Sequence, residues 1–305
     1  MPAAERDVVV PASAAGERLD GFLQRHGGDM DRSRTEWQRM IGKRAVLLNG
    51  SPAKAGQRVA ANDHVTISLS PRTLELPPED QVPFTVVFED SSMIVVNKPA
   101  GVVVHPAPGN ERGTLVNGLL ARYPELRSED DFRPGIVHRL DKDTSGLMVV
   151  GRTLSAMANL QRQWQRHSVE KRYLLLVRGT ISEDEGLIDR PIARDPRQRQ
   201  RMAVRWEGRA AQTHFWVRER FAGWTYLEAR LLTGRTHQLR VHFASIGHPV
   251  AGDAGYGRGV ALHGLERQFL HSYSLRLRSP ADDVERTFIA ALPPDLARVL
   301  DRLRR

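Results

Sequence analysis

Three polar segments carry side chains whose types and spacing suit acid, base or anion chemistry. The first, residues 133–146, begins at Arg133 and leads into the apolar run Leu147, Met148, Val149 and Val150. Six of the seven side chains in residues 139–145 are polar. Asp141 and Asp143 are flanked by Arg139 and Lys142, cations that favour the charged carboxylate a nucleophile or general base needs. The same residues also suit a surface turn in which Asp143, Thr144 and Ser145 bond their own backbone. The second segment, residues 233–242, offers Arg235, His237, Gln238 and Arg240, donors for a phosphate or a forked pair with a carboxylate. A basic loop end reads equally well. His237 and His242 have no acidic third ligand beside them in sequence, which argues against a metal. The third segment, residues 170–177, opens a strand with Tyr173 at its head. Such a tyrosine either packs or stacks on a nucleobase, worth about 1 to 3 kcal/mol per base.

The elements that must position these groups fall into two parts. Residues 15–23 and 32–41 read as short helices, the second with Trp37, Met40 and Ile41 at helical spacing and Ser33 as a cap. Strands follow at 45–49, ending in the Asn49-Gly50 turn signal, and at 64–69. Pro71, Pro77, Pro78 and Pro83, mixed with Glu75, Glu79 and Asp80, mark residues 71–83 as a linker. Beyond it lie mostly strands: 84–88, 93–97, 146–151, 173–177, 213–217 and the alternating 226–231. Lys98, Pro99, Ala100 and Gly101 form a turn. One helix reads clearly, with Leu154, Met157, Leu160 and Trp164 as a core stripe behind Thr153 as cap, and a basic amphipathic helix ends the chain at 294–305. This organisation predicts an α+β fold: a small α/β domain at 1–70, a linker at 71–83 and a strand-rich domain at 84–305.

Composition limits the functions open to such a chain. Its 305 residues suit about two domains. With no cysteine there is no disulfide framework, thiolate zinc site, iron–sulfur cluster or cysteine nucleophile. The first thirty residues hold no apolar run typical of a secretory signal, and no window approaches a membrane span, so a cytoplasmic protein is expected. The formal charge is +9. Residues 194–240 hold eleven arginines against four acids, a patch that suits a polyanion such as nucleic acid or a merely solvated basic face. There is no phosphate-cradling glycine loop.

Taken together, the segments resemble the RNA pseudouridine synthases of the ribosomal-large-subunit type. The nine residues His138, Arg139, Leu140, Asp141, Lys142, Asp143, Thr144, Ser145 and Gly146 look like that family's signature. In family order there also stand Lys98 to Gly101 with His105 and Pro106, Lys171 with Tyr173, the 234–240 block, and Gly247, His248 and Pro249 with Gly252, Asp253, Tyr256 and Gly257. The resemblance covers residues 82–292. Residues 1–70 are similar to the S-four type RNA-binding domain, with Arg44 standing where that domain usually ends a helix in Gly.

The resemblance implies a mixed, mainly antiparallel β-sheet catalytic domain preceded by the small α/β S-four-like domain. It further implies isomerisation of uridine in RNA, with large-subunit ribosomal RNA as the expected partner; no atom is added or lost, so no cofactor is expected. By the same resemblance Asp141 is the essential aspartate, Arg240 its pairing arginine in preference to Arg235, and Tyr173 the residue that stacks on the base. Arg139 is expected to fill the place of the flipped uridine, with Arg235, His237, Gln238, Lys98 and His105 as further substrate-binding residues, and with no metal. Transfer RNA as substrate, a non-catalytic RNA-binding or ribosome-assembly factor, and a nucleosidase using Asp141 with Asp143 are the competing readings. A membrane is not expected among the partners, and nothing requires more than a monomer.

Overall fold

Asn49 and Gly50 both adopt positive φ, 52° and 75°, which is the geometry of a two-residue turn between strands that pair Leu48 with Ser51. That hairpin belongs to the first of two compact units, Met1–Leu74 and Glu75–Arg305, in the computed structural model of the chain. Residues 4–27, 34–42, 44–69, 76–107, 110–127, 134–198, 201–257, 262 and 264–305 are described here. Ser33, Arg133 and part of the 71–83 segment fall outside them.

The first unit contains β1 (Ala4–Val9), α1 (Leu19–His26), α2 (Arg34–Gly42), β2 (Val46–Leu48), β3 (Ser51–Pro52) and β4 (His64–Leu69). Its antiparallel sheet has the order β1-β4-β2-β3. Phe22 and Trp37 from the helices share a core with Val46, Val65 and Ile67. Buried Asp20 ties α1 to α2 by accepting from Arg18, Arg34 and Gln38. The helix expected at 15–23 begins at Leu19 instead, because Gly16 turns at φ 85° and Arg18 is still extended. Arg44 adopts φ 57°, the left-handed conformation that a glycine would enter more easily after a helix.

The second unit is built from β5 (Thr85–Glu89), β6 (Met93–Lys98), α3 (Leu115–Arg122), β7 (Ser145–Gly151), α4 (Leu154–Gln165), β8 (Glu170–Arg178) and β9 (Glu185–Asp189). It continues through β10 (Ile192–Arg194), β11 (Met202–Val204), β12 (Gln212–Phe221), β13 (Trp224–Leu231), α5 (Gln238–Ser245), β14 (Leu270–Arg278), β15 (Glu285–Ile289) and α6 (Pro294–Leu303). Nine strands form one sheet in the order β5-β6-β7-β14-β8-β13-β12-β9, with β15 on β14. Every pairing is antiparallel except β7 with β14. The fold is therefore α+β with a mixed, mainly antiparallel sheet.

All seven residues of β7 are buried, because both faces of the sheet are covered there. On one face Val96, Met148, Leu175 and Leu227 pack with Leu115 and Leu119 of α3 and Phe243 of α5. On the other, Val95, Leu147 and Val149 pack with Leu160 of α4. The α4 stripe is not wholly core. Thr153 caps the helix by accepting from the Ala156 amide, but Leu154 faces solvent, and Trp164 at the far end forms part of a cleft wall. Tyr173 also differs from expectation: β8 begins at Glu170, so the tyrosine is its fourth residue and is buried.

The short parallel contact between β7 and β14 decides where chemistry can occur. Gly146 pairs with Ser272, and Ser272 pairs with Tyr173 on the other side. Three adjacent strands thus bring the loop before β7 and the tyrosine of β8 to one place. Gly146 has φ 120°, and a β-carbon there would sit 2.2 Å from the Ser272 carbonyl oxygen. Gly146→Ala is therefore expected to cost about 3 kcal/mol or more in urea unfolding, or to prevent soluble expression. Gly234→Ala, where nothing lies within 4 Å, should stay within about 0.5 kcal/mol of wild type.

Candidate active site

Asp141 lies on the loop that enters β7, and that loop is fixed from three sides. Lys98, fully buried at the end of β6, donates from Nζ to the carbonyls of Pro99 at 2.7 Å, Val102 at 2.8 Å and Lys142 at 3.0 Å. Thr144 Oγ1 accepts from Gln268 at 2.8 Å, and Ser145 Oγ bonds His271 Nδ1 at 2.9 Å. Arg267, paired with Asp295, donates to the Asp143 carbonyl at 3.1 Å. These are long-range ties of buried side chains, so the reading of 143–145 as a self-bonded surface turn does not hold. The Lys98 pKa is pushed down to about 7, chiefly by burial and against the charges of Asp143 and Asp141. Lys98 and Lys142 are separated by 44 residues, and their bond ties the β6 turn to the Asp141 loop.

The partner of Asp141 comes from the start of α5. Gln238 organises that start: its Oε1 accepts from Thr233 Oγ1 and the Arg235 amide, while its Nε2 donates to the Gln212 carbonyl and Thr213 Oγ1. His237 precedes the helix at φ 56°, a left-handed conformation that costs about 1 kcal/mol or more for a non-glycine residue. One turn inside the helix, Arg240 donates from Nη1 to Asp141 Oδ2 at 3.0 Å. Its other edge is taken by Asp253, with Nε to Oδ2 at 2.7 Å and Nη2 to Oδ1 at 2.9 Å. Burial works against the charge of Arg240, but the hydrogen bonds and charges of Asp253 and Asp141 outweigh it and raise its pKa. For Asp253 burial likewise opposes ionisation, and Arg240 with the amides of Tyr256 and Gly255 reverses the balance and lowers its pKa.

A second contact orients His237. Tyr256 Oη accepts from the Met202 amide at 2.9 Å and lies 2.8 Å from His237 Nδ1. In the neutral form of His237 one ring nitrogen donates and the other accepts, and Nε2 stands 3.8 Å from Asp141 Oδ1. Burial lowers the His237 pKa against the opposing pull of Asp141, which favours that neutral form. One oxygen of Asp141 is thus anchored by a guanidinium while the other faces the cleft. Tyr173 lines the same cleft, its pKa pushed up to about 12 by burial.

The structure brings Asp141, Tyr173, Arg240, Arg139, Arg235 and His237 together around this cleft of about 260 Å³. Arg139 is exposed at its wall, whereas Arg235 turns its Nε to the Ala210 carbonyl at 3.0 Å. Gln238 also lines the cleft, and three of the expected substrate-binding residues carry contacts of another kind or lie elsewhere. Lys98 is fully buried with its ammonium on three carbonyls, and so positions the loop. Gln238 is buried with both ends of its amide spent on the scaffold, and so shapes the α5 start. His105 is half-buried and lies outside the cleft lining. Sequence reasoning assigned no role to Asp253 or Tyr256; their signal was an acid and an aromatic in a glycine-rich turn, 252–257, downstream of the arginine block. The arginine patch is also less free than its count suggests, since Arg205, Arg218, Arg220, Arg230 and Arg240 each pair with a carboxylate.

Residues 92–245 match the family model described as RNA pseudouridylate synthase. The chain is 47% identical to an uncharacterized RNA pseudouridine synthase of Chloroflexus aurantiacus, across 99% of this chain and 95% of that protein. It is 42% identical to the ribosomal large subunit pseudouridine synthase D of Xanthomonas campestris, across 98% of this chain and 92% of that one. Among solved structures, human RNA pseudouridylate synthase domain containing 1 is similar with a TM-score of 0.55 at 28% identity, covering 74% of this chain and 97% of that one.

Asp253 holds Arg240 from a fully buried position, so Asp253→Asn should destabilise the fold by about 3 to 5 kcal/mol in urea unfolding at neutral pH. The folded-state pKa of Asp253 is lowered, so its contribution is fully present above the ordinary aspartate value and is lost as pH falls through the folded one. The stability gap between wild type and Asp253→Asn should accordingly close below about pH 4.

Proposed function

The chain belongs to the RNA pseudouridylate synthase family, and on that premise we propose that it isomerises uridine to pseudouridine in large-subunit ribosomal RNA. The observation that carries this reading is Asp141, anchored on one oxygen by Arg240 at 3.0 Å and open on the other beside buried Tyr173. Attack on the ribose C1′ and removal of its 2′ proton both need a charged, aimed carboxylate with one free oxygen. Relatives named for the large ribosomal subunit support the choice of RNA.

A uridine within a helix hides its glycosidic bond, so the nucleotide must turn out of the stack before Asp141 reaches it. In this reading Arg139, exposed at the cleft, fills the vacated place, and the aromatic face of Tyr173 supports the base. The C1′–N1 bond breaks, the uracil ring turns, C5 joins C1′ and the C5 proton is lost while N1 regains one. Reactant and product have the same atoms, so the reaction calls for no redox cofactor. A second carboxylate across the scissile bond, as a nucleosidase would need, is poorly served by Asp143, which is not among the residues lining the cleft.

The remaining assignments belong to the same proposal. Residues 1–70 act as an S-four-like RNA-binding module, joined through 71–83 to the catalytic domain at 84–305, and so raise the local concentration of substrate. Arginines left without a carboxylate partner among the described residues, such as Arg194 and Arg209, meet backbone phosphates. The protein works as a cytoplasmic monomer; among the described residues no helix is long and apolar enough to cross a membrane.

Incubation with 5-tritiated uridine in large-subunit ribosomal RNA should release tritium, and Asp141→Asn should lower the rate by about a thousandfold or more. Unchanged release by Asp141→Asn, or free uracil as product, would overturn the assignment. RNA affinity should fall steeply with added salt as phosphate contacts release counterions.

A further inference from the structure

Lys171 shares the cleft with Asp141 and Tyr173, yet nothing above gives it a part. It stands two residues before Tyr173 on β8, hence on the same face of the sheet, and is buried. Lys98, also buried, is surrounded by three carbonyls. Lys171 differs: burial lowers its pKa to about 8, and the neighbouring charge that acts on it, Arg230 of β13, pushes in the same direction. The ammonium lies in a wall shared with Val137, Trp164 and Leu231, whereas Arg230 stands with its partner Glu170 on the opposite face of the sheet. Keeping a cation there without an anion is costly, unless a ligand brings the opposite charge.

The group beside it cannot supply that charge. His138 accepts at Nε2 from the Val149 amide at 3.0 Å and stacks on Trp164 with ring centres 4.4 Å apart. Its pKa is lowered to about 3, by burial first and by Lys171 second, so the imidazole is neutral. The other ionisable groups of the cleft, Arg139, Asp141, Tyr173, Arg235, His237 and Arg240, include one carboxylate, and that one is bound by Arg240. A base held on the Tyr173 side would lie on the strand face that also presents Lys171.

Resting on the function proposed above, we infer that Lys171 donates from its ammonium to a carbonyl oxygen of uracil as the base leaves, and holds the uracil anion while it turns. When the C1′–N1 bond breaks, its electron pair passes to the ring and spreads over N1, O2 and O4. A cation at a carbonyl oxygen stabilises that charge where it develops. C1′ is meanwhile engaged by Asp141, as an ester or after loss of the 2′ proton. The C5–C1′ bond then forms from the ring electrons as the Asp141 oxygen leaves C1′, or, in the second case, as Asp141 returns the proton to C2′; the C5 proton departs and N1 takes one up. Lys171 stays protonated throughout, and lends a hydrogen bond without transferring a proton.

The test is single-turnover tritium release from 5-tritiated ribosomal RNA by wild type, Lys171→Met and Lys171→Arg, with RNA affinity measured in parallel. Lys171→Met should lower the rate about a hundredfold and leave the dissociation constant within about twofold, because the interaction forms as the bond breaks. Lys171→Arg should restore most of the rate. Wild-type kcat/KM should fall above about pH 8 as Lys171 deprotonates, and that limb should vanish in Lys171→Arg, whereas any loss arising from Lys98 near pH 7 stays in both. A merely structural lysine would not move the pH profile. The inference is overturned if Lys171→Met stays within about threefold of wild type or if Lys171→Arg keeps the limb; should Lys171→Met fail to fold, the Lys171→Arg profile decides. Absence of tritium release by wild type would instead overturn the functional reading beneath it.

Discussion

The site depends on one buried guanidinium. Arg240 spans two carboxylates, taking Asp253 through Nε and Nη2 and Asp141 through Nη1. Neither end is interchangeable: Asp253 is wholly enclosed and backed by the Gly255 and Tyr256 amides, while Asp141 keeps one oxygen toward the cleft. Desolvating such groups is expensive and is recovered through good geometry and hydrogen bonds on every remaining lone pair. The planar fork of arginine meets that demand where a lysine would not, since a point charge cannot fix the direction of two carboxylates at once. The energetic weight of the arrangement falls on Asp253, and its chemical use falls on Asp141.

The fold around this charge chain serves to bring four distant pieces of sequence to one place. The parallel register of β7 on β14 sets the Asp141 loop beside Tyr173 of β8. From β13 the chain runs through a left-handed His237 into α5, which presents Arg240. Lys98 holds the loop from the β6 side, at the cost of burying an ammonium among carbonyls. The part of this chain that matches the family model, 92–245, takes in the loop, β8 and the α5 start, but stops short of Asp253. The buried anchor of the arginine therefore comes from a turn outside that region.

The sequence made some of this legible and concealed the rest for physical reasons. Asp141 stands out through the nine-residue stretch 138–146 that resembles the family signature, since charged residues against an apolar strand suit a surface turn as well. The Asn49-Gly50 turn and the Thr153 cap follow from local backbone preferences that tertiary contacts do not override, whereas residues 76–83, expected as linker, pack on the second unit, with Val82 in its core and the Pro77 carbonyl accepting from Asn117. Lys98 and Gln238 share the residue types of binding groups, and the types alone do not tell that their donors are consumed by backbone carbonyls 44 and 26 residues away. Asp253 is hidden for the complementary reason: an acid between glycines reads as a turn, and its meaning lies in an arginine that only folding brings within 2.7 Å. The arginine patch shows the limit of charge counting, since several of its members neutralise carboxylates of the same sheet.

Asp253 should act on the reaction through Arg240, because its side chain bonds Arg240 and the Gly255 and Tyr256 amides beside it. A double-mutant cycle on single-turnover pseudouridine formation addresses it directly, with Arg240→Gln, Asp253→Asn and the two combined, each measured on protein shown to be folded. If Arg240 transmits the effect, adding Asp253→Asn to Arg240→Gln lowers the rate no further, a strongly non-additive result. Rate losses that add in full would show that the two residues contribute separately and would contradict the account.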